Sequence, residues 1–193
     1  MATTDIIFEN VELRWKNFSG RTDDFNPPVG LDNNGNRIGK RYFNIVLTEE
    51  QAEKLRGIEL ATKTGDVVTG ANVKTHLPKN GEGDPMYTLK VLFGEHPPES
   101  MYRIIPKGKM PLTMDTIGGL DREVIEKAKV VVTLSPYKRP GNAGIAAYVK
   151  KLAVWIKEDT FDNDLNDIPT IGGGIYTGDP GSPTEDDDEH LPF

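Results

Sequence analysis

The sequence has no cysteine, and that one absence removes disulfide scaffolds, thiolate metal sites, redox motifs and cysteine nucleophiles together. Its three histidines, His76, His96 and His190, have no spacing suited to a shared metal, and there is no Gly-x-Ser-x-Gly elbow. No apolar run approaches the roughly 20 residues of a membrane span, and Met1 to Asp5 holds neither a basic start nor an apolar signal core. A soluble, cytoplasmic protein without a membrane partner is expected. Lysine and arginine are missing altogether from residues 158–193.

What is present is unevenly distributed. The formal net charge of −7 is an average over two unlike parts. Residues 158–193 carry 11 acids, and residues 1–157 carry the other 19 acids against all 23 cations, a net of +4. A basic body beside an acidic tail implies a surface for polyanions and a segment that imitates one. The tail is also glycine-rich, with Gly172, Gly173 and Gly174 in a row, and lacks the apolar content that would offset its ordering entropy. The expected division is therefore a folded domain over 1–157 and a disordered acidic tail over 158–193. At 193 residues and 21.3 kDa the chain has room for one such domain.

Twenty glycines and 14 prolines predict many turns and lean the body toward β structure. Ile6 to Trp15 alternates as a strand whose phase slips at Glu9, which predicts a bulge. A loop dense in Gly, Asn, Asp and Pro runs from Asn17 to Lys40, and Arg41 to Leu47 forms the next strand. Thr48 with Gln51 makes a capping box for a short helix, Glu49 to Arg56, ended by Gly57. Val67 to Thr75 and Met86 to Phe93 read as strands. Asp121 is expected to cap a second helix, Arg122 to Lys127, leading into a strand at Val130 to Leu134. The turn Pro140-Gly141-Asn142-Ala143-Gly144 then pairs that strand with Ile145 to Ile156 as a hairpin. Several strands, short helices and no βαβ rhythm predict an all-β-dominated protein, an OB-fold-like five-stranded barrel.

Catalytic motifs fail on inspection. Gly65 to Gly70 has the outer spacing of a phosphate loop, but Ala71 and Asn72 stand where Lys and Ser/Thr must hold phosphate and magnesium. Asp32, Asn34 and Asn36 resemble the first ligands of a calcium loop, yet Arg37 takes the required glycine position and Phe43 that of the bidentate acid. No enzyme activity, metal or cofactor is expected.

A repeated pairing of cations with flat rings does stand out: Arg14, Trp15, Lys16 and Phe18, with Arg21 in the loop beyond; Arg41 and Tyr42; Tyr87 and Lys90; Tyr102 and Arg103; Tyr137, Lys138 and Arg139; Tyr148 and Lys150; Lys74 is counted with them as a candidate DNA contact. A single-strand binder needs both groups, because phosphates require charge while unpaired bases offer π faces to stack on. An aromatic on a strand is nevertheless more often core than platform, and Phe43 and Trp155 are expected to be buried. Adjacent Lys150 and Lys151 should place one cation on each face of their strand.

The sequence stops at Glu185-Asp186-Asp187-Asp188-Glu189-His190-Leu191-Pro192-Phe193. An acidic run is ordinarily a solvated tail, but here a final phenyl ring carries the α-carboxylate, so a partner can join an apolar pocket to a cation, with basic rims for Asp186, Asp187, Asp188 and Glu189. This ending, with Leu191, Pro192 and Phe193, resembles the acidic tip of bacterial and bacteriophage single-stranded DNA-binding proteins. The body resembles the phage group along Phe18-Ser19-Gly20, Arg41-Tyr42-Phe43-Asn44-Ile45, Gly70-Ala71-Asn72-Val73-Lys74 and Gly144 to Lys150. The resemblance implies an OB-fold protein that coats single-stranded DNA in phage replication, recombination and repair, and whose tip contacts a polymerase, helicase or primase. Some relatives dimerise through the tail, so a homodimer is among the assemblies it implies. The competing reading from another class is a virion or scaffold protein with a disordered acidic tail.

Overall fold

The computed structural model describes residues 3–157 apart from 33–34, 95–96 and 107. The expected tail, 158–193, and its tip lie outside the described residues. In chain order the elements are β1 (Thr4–Val11), β2 (Leu13–Asn17), β3 (Gly30–Leu31), β4 (Arg37–Ile38), β5 (Tyr42–Leu47), α1 (Glu49–Arg56), β6 (Glu59–Ala61), β7 (Val67–Thr69), β8 (Val73–His76), β9 (Met86–Leu92), β10 (Ser100–Ile105), β11 (Gly108–Pro111), a 3-10 turn (Ile117–Asp121), β12 (Ile125–Arg139) and β13 (Asn142–Ile156).

The main sheet runs β1-β12-β13-β9-β5-β2, with β8 on β9 and the β10–β11 pair attached to β13. It is mixed: β13 is parallel to β9 and β10, and the other ladders are antiparallel. Its end strands, β1 and β2, are separated by Glu12 alone, whose carbonyl accepts the N–H of Val46 in β5. The five strand paths are therefore OB-like, and the circuit is completed by chain continuity at Glu12 and not by a ladder closing a barrel.

Local signals explain most elements. Thr48 Oγ1 accepts from Gln51 N at 3.2 Å while Gln51 Oε1 accepts from Thr48 N at 3.0 Å, so α1 starts on the expected capping box, and Gly57 N closes it on the Glu53 carbonyl. The β12–β13 hairpin is the longest pairing, 15 residues a strand, and Ala128, Val130, Val132 and Leu134 point inward at period two. In β1 the register slips between Phe8 and Val11, with Asn10 at φ 53°, so both apolar residues reach the core across the predicted bulge.

Two expectations are corrected. Arg122 to Lys127 is not a helix: a 3-10 turn precedes it and Ile125 to Lys127 join β12, pairing with Ile156 and Trp155. The ladder with β13 outweighs the weak helical pattern. Asp121 caps nothing there; its carboxylate accepts from Phe18 N at 2.7 Å, Ser19 N at 3.0 Å and Ser19 Oγ at 2.6 Å. The strand expected over Val67 to Thr75 is split at Gly70, φ 84°, where a Cβ would stand 3.1 Å from the Arg56 carbonyl.

Candidate nucleic-acid interface

Strand β5 buries Phe43, Ile45 and Leu47, so Tyr42, Asn44 and Val46 share the opposite face. Opposite them on β9 lie Leu92, Lys90 and Thr88. Lys90 Nζ sits 3.7 Å from the centroid of the Tyr42 ring. Burial pulls the Lys90 pKa below 10.5, and the like charges of Lys74 on β8 and Lys40 before β5 add to this. None of these three lysines has a carboxylate in ion-pair range among the described residues. Lys90, with the like charges of Lys74 and Lys40 acting on it and no carboxylate to neutralise them among the described residues, stands beside an aromatic face, a site prepared for an anion that also carries flat groups.

Trp15 extends this surface. It is half exposed at φ 45°, a conformation a bulky residue rarely adopts, on the stretch of β2 where the register against β5 shifts between Arg14 and Asn17. Its ring lies 4.8 Å from that of His76, whose Nε2 is 3.0 Å from Thr88 Oγ1. Arg14 Nη1 donates to Met86 Sδ nearby. Arg14, paired with Trp15 in the sequence, is thus part of the surface, and so are Lys40 and His76, which sequence reasoning left out of the site. Its place just before the aromatic strand segment was the available signal for Lys40, whereas His76 depends on pairing between distant strands.

Beside this face opens a cleft of about 710 Å³. The β3–β4 arm supplies Val29, Leu31 and Ile38, β13 supplies Tyr148, and Lys40, Arg41 and Phe93 lie between. The half-buried Arg41 guanidinium donates to the Met114 carbonyl, and its Nε is buried without a hydrogen-bond partner. Burial works against its charge, and Asp115, Asp32 and Asp121 offset that. Arg41 is held in the cleft wall, and Tyr148 faces the same space.

The other expected residues separate into distinct roles. Phe18 is fully buried, with its ring 5.6 Å from Phe43 and 6.0 Å from Phe93, so it is core and not platform. Lys16 is pinned by a 2.7 Å bond from Nζ to the Glu123 carbonyl, and burial lowers its pKa. Tyr87 stands three residues from Lys90, hence on the opposite side of β9, where it packs against the core beneath the Arg56 guanidinium. Arg103 pairs with Glu123 at 2.9 Å. Tyr102 keeps a cation, Lys109 Nζ at 3.4 Å from its centroid, on the separate β10–β11 pair. Phe43 is buried as expected, but Trp155 is only partly so, with Lys127 Nζ 5.7 Å from its ring.

Lys150 and Lys151 do not divide between two faces. A bulge sets Val131 against Lys151 and Val132 against Val149, leaving Lys150 as the extra residue, and both ammonium groups reach Glu99, at 3.4 and 3.2 Å. Lys150 also binds Asp5 at 2.6 Å, so it is largely neutralised. At the hairpin tip Tyr137 lies across Gly144, where a Cβ would be 3.0 Å from its hydroxyl. Lys138 is bridged to Asp66 at 3.0 Å, and Arg139 and the loop residue Arg21 are exposed. Of the expected residues, Trp15, Tyr42, Lys74 and Lys90 thus lie together on the strand face, while Lys16, Phe18, Tyr87 and Arg103 make contacts within the fold.

The chain matches the sequence family of phage ssDNA-binding domains over residues 1–190. No curated protein matches it. Among solved structures it is similar to the single-stranded DNA-binding protein from bacteriophage Enc34, at 13% identity over 83% of this chain and 89% of that one, with a TM-score of 0.48. The same phage protein in complex with ssDNA aligns at 14% identity over 80% and 88%, TM-score 0.45. Its C-terminal truncation aligns at 11% over 80% and 86%, TM-score 0.45. Because the sequence match takes in nearly the whole chain, this protein belongs to the phage ssDNA-binding domain family.

Proposed function

We propose that this protein coats single-stranded DNA in the host cytoplasm during phage DNA replication, recombination and repair, and does so without catalysis. The observation that carries the reading is the unneutralised trio Lys40, Lys74 and Lys90 around Tyr42, beside the Trp15–His76 ring pair. Phosphates satisfy the cations and unpaired bases lie on the rings; a duplex offers the first but keeps its bases stacked away. OB-like folds present strands two and three and the adjoining loops to oligonucleotides, and β5, β9 and the 18–41 loop are those parts here. The DNA-contacting set drawn from this is Trp15, Lys40, Tyr42, Lys74, Lys90 and Tyr148, with Arg21, Lys138 and Arg139 at the margins.

The acidic segment supplies the second half of the proposal. Tethered to a basic body, it reaches an effective concentration on the order of millimolar at the cationic face and competes with DNA for it. Once DNA displaces it, Asp186 to Glu189 with Leu191, Pro192 and Phe193 become available to a polymerase, helicase or primase. The test is a fluorescence titration of the full chain with single-stranded and duplex oligonucleotides at two salt concentrations, read through tryptophan emission, with the W155F substitution isolating the Trp15 signal. Preference for the single strand with a steep salt slope is expected. Duplex preference, or regular oligomers with no salt-sensitive DNA binding, would overturn the reading.

A further inference from the structure

We infer that Phe25 is a base-stacking residue carried on a locked turn, an inference that rests on the single-stranded-DNA reading above. Its ring is 96% exposed, more than any other large hydrophobic side chain among the described residues. The fold gains nothing from burying it, yet the turn that presents it is tightly built. Asp23 Oδ1 accepts from Phe25 N at 2.8 Å and from Asn26 N at 2.7 Å, and Asp23 and Asn26 also exchange backbone bonds of 3.1 and 3.2 Å. Asn26 is buried: its Nδ2 donates to the carbonyls of Arg21 at 2.7 Å and Lys40 at 3.1 Å, and its Oδ1 accepts from Lys40 N at 3.1 Å. Gly39 exists to admit it, since a Cβ there would stand 2.4 Å from Asn26 Nδ2. Asn17 ties the near side, with Oδ1 accepting from Arg21 N at 2.7 Å and Nδ2 donating to Arg21 O at 2.9 Å.

These bonds fix the backbone that carries the ring relative to a particular surface. Asn26 holds Lys40, whose charge acts on Lys90, and Lys40 leads directly into Arg41 and Tyr42. From Phe25 the chain continues to Val29 and Leu31, exposed residues that line the 710 Å³ cleft. The occupant is therefore a nucleobase of a strand already held on that face. Asp23 and Asp24 precede the ring, so a phosphate is disfavoured there and the contact is made by the base. A preorganised turn loses little backbone freedom when its ring stacks, which is the physical use of the lock.

The experiment titrates the full chain and its F25A, F25L and F25W substitutions with oligo(dT) at several salt concentrations. Expected is a loss of affinity of about 5- to 150-fold for F25A, the value of one stack. F25L should recover little, F25W should restore binding and show added quenching on DNA, and the salt slope should be the same for all, since no phosphate contact is lost. If the parent binds and F25A matches it, the inference fails alone and the ring serves a protein partner or a second copy, the latter visible as a change in oligomeric state. If the parent itself does not bind oligo(dT), the underlying functional reading fails and this inference with it.

Discussion

Lys90 Nζ stands 3.7 Å above the Tyr42 ring, close enough for the ammonium to be held by the π face. The two form a unit on the diagonal between β5 and β9, and a base stacking on Tyr42 must use the free face or move the cation. Replacing Tyr42 with Ala should weaken oligo(dT) binding by about 5- to 150-fold with the salt slope unchanged. Replacing Lys90 with Ala should lower the slope by about 0.7, one single-strand phosphate. The double variant should lose less than the two losses combined, because each partner positions the other. Strict additivity would show that they act separately.

Lys90 also makes binding depend on pH in the alkaline range. Its native pKa is held below 10.5 by burial, then by Lys74 and Lys40, so the native state gives up this proton more readily than the unfolded chain. The cost to stability is full below the lowered value and is relieved as pH rises through it toward 10.5. A bound phosphate restores the proton. Complex formation should therefore take up a proton within that window, and affinity should fall as pH passes through it. Calorimetry in buffers of different ionisation enthalpy measures the uptake, which the K90R substitution should abolish.

Asp66 holds Lys138 at 3.0 Å, so the hairpin cation is partly neutralised before any DNA arrives. Asp66 titrates below its ordinary value because Thr64 and Lys138 bond to its carboxylate. The D66N substitution should release Lys138, tighten oligo(dT) binding at low salt and steepen the slope by up to about 0.7. An unchanged titration would place the hairpin tip off the DNA path.

Phe18 separates packing from binding. Its buried ring touches Phe43 and Phe93, and Asp121 ties down its backbone. Phe18→Ala should cost about 3–5 kcal/mol in denaturant unfolding. The salt slope of whatever remains folded should match the parent, since no cation is touched. A changed slope in fully folded protein would return Phe18 to the DNA surface.

Deleting Glu185 to Phe193 should tighten single-strand binding at low salt, where the competing acids act most strongly, and abolish capture of replication proteins. Phe193→Ala should harm capture more than DNA binding. Equal losses in both assays would remove the proposed division of labour.

Residue order carried the parts of this fold that short-range chemistry decides. Thr48 and Gln51 with Gly57 delimit α1, Pro140 and Gly141 turn the longest hairpin while Asn142 to Gly144, expected in the turn, already pair as strand, and the slipped alternation at Glu9 marks a bulge, because caps, turns and pleats act over a few residues. The contrast between a cationic body and an anionic tail is likewise a property of the chain as written. Which rings and cations face outward was decided elsewhere. A bulge at Lys150 turns both adjacent lysines toward Glu99, the β12–β13 ladder converts an expected helix into strand, and Asp121 fastens the start of the 18–41 loop from about a hundred residues away. The binding face needs Lys40, Lys74 and Lys90 from three segments and Trp15, beside His76 of the same strand as Lys74, from a fourth. Strand pairing between distant residues brings such groups together, and a single inserted residue reverses the side on which they stand, so only the assembled sheet could select them.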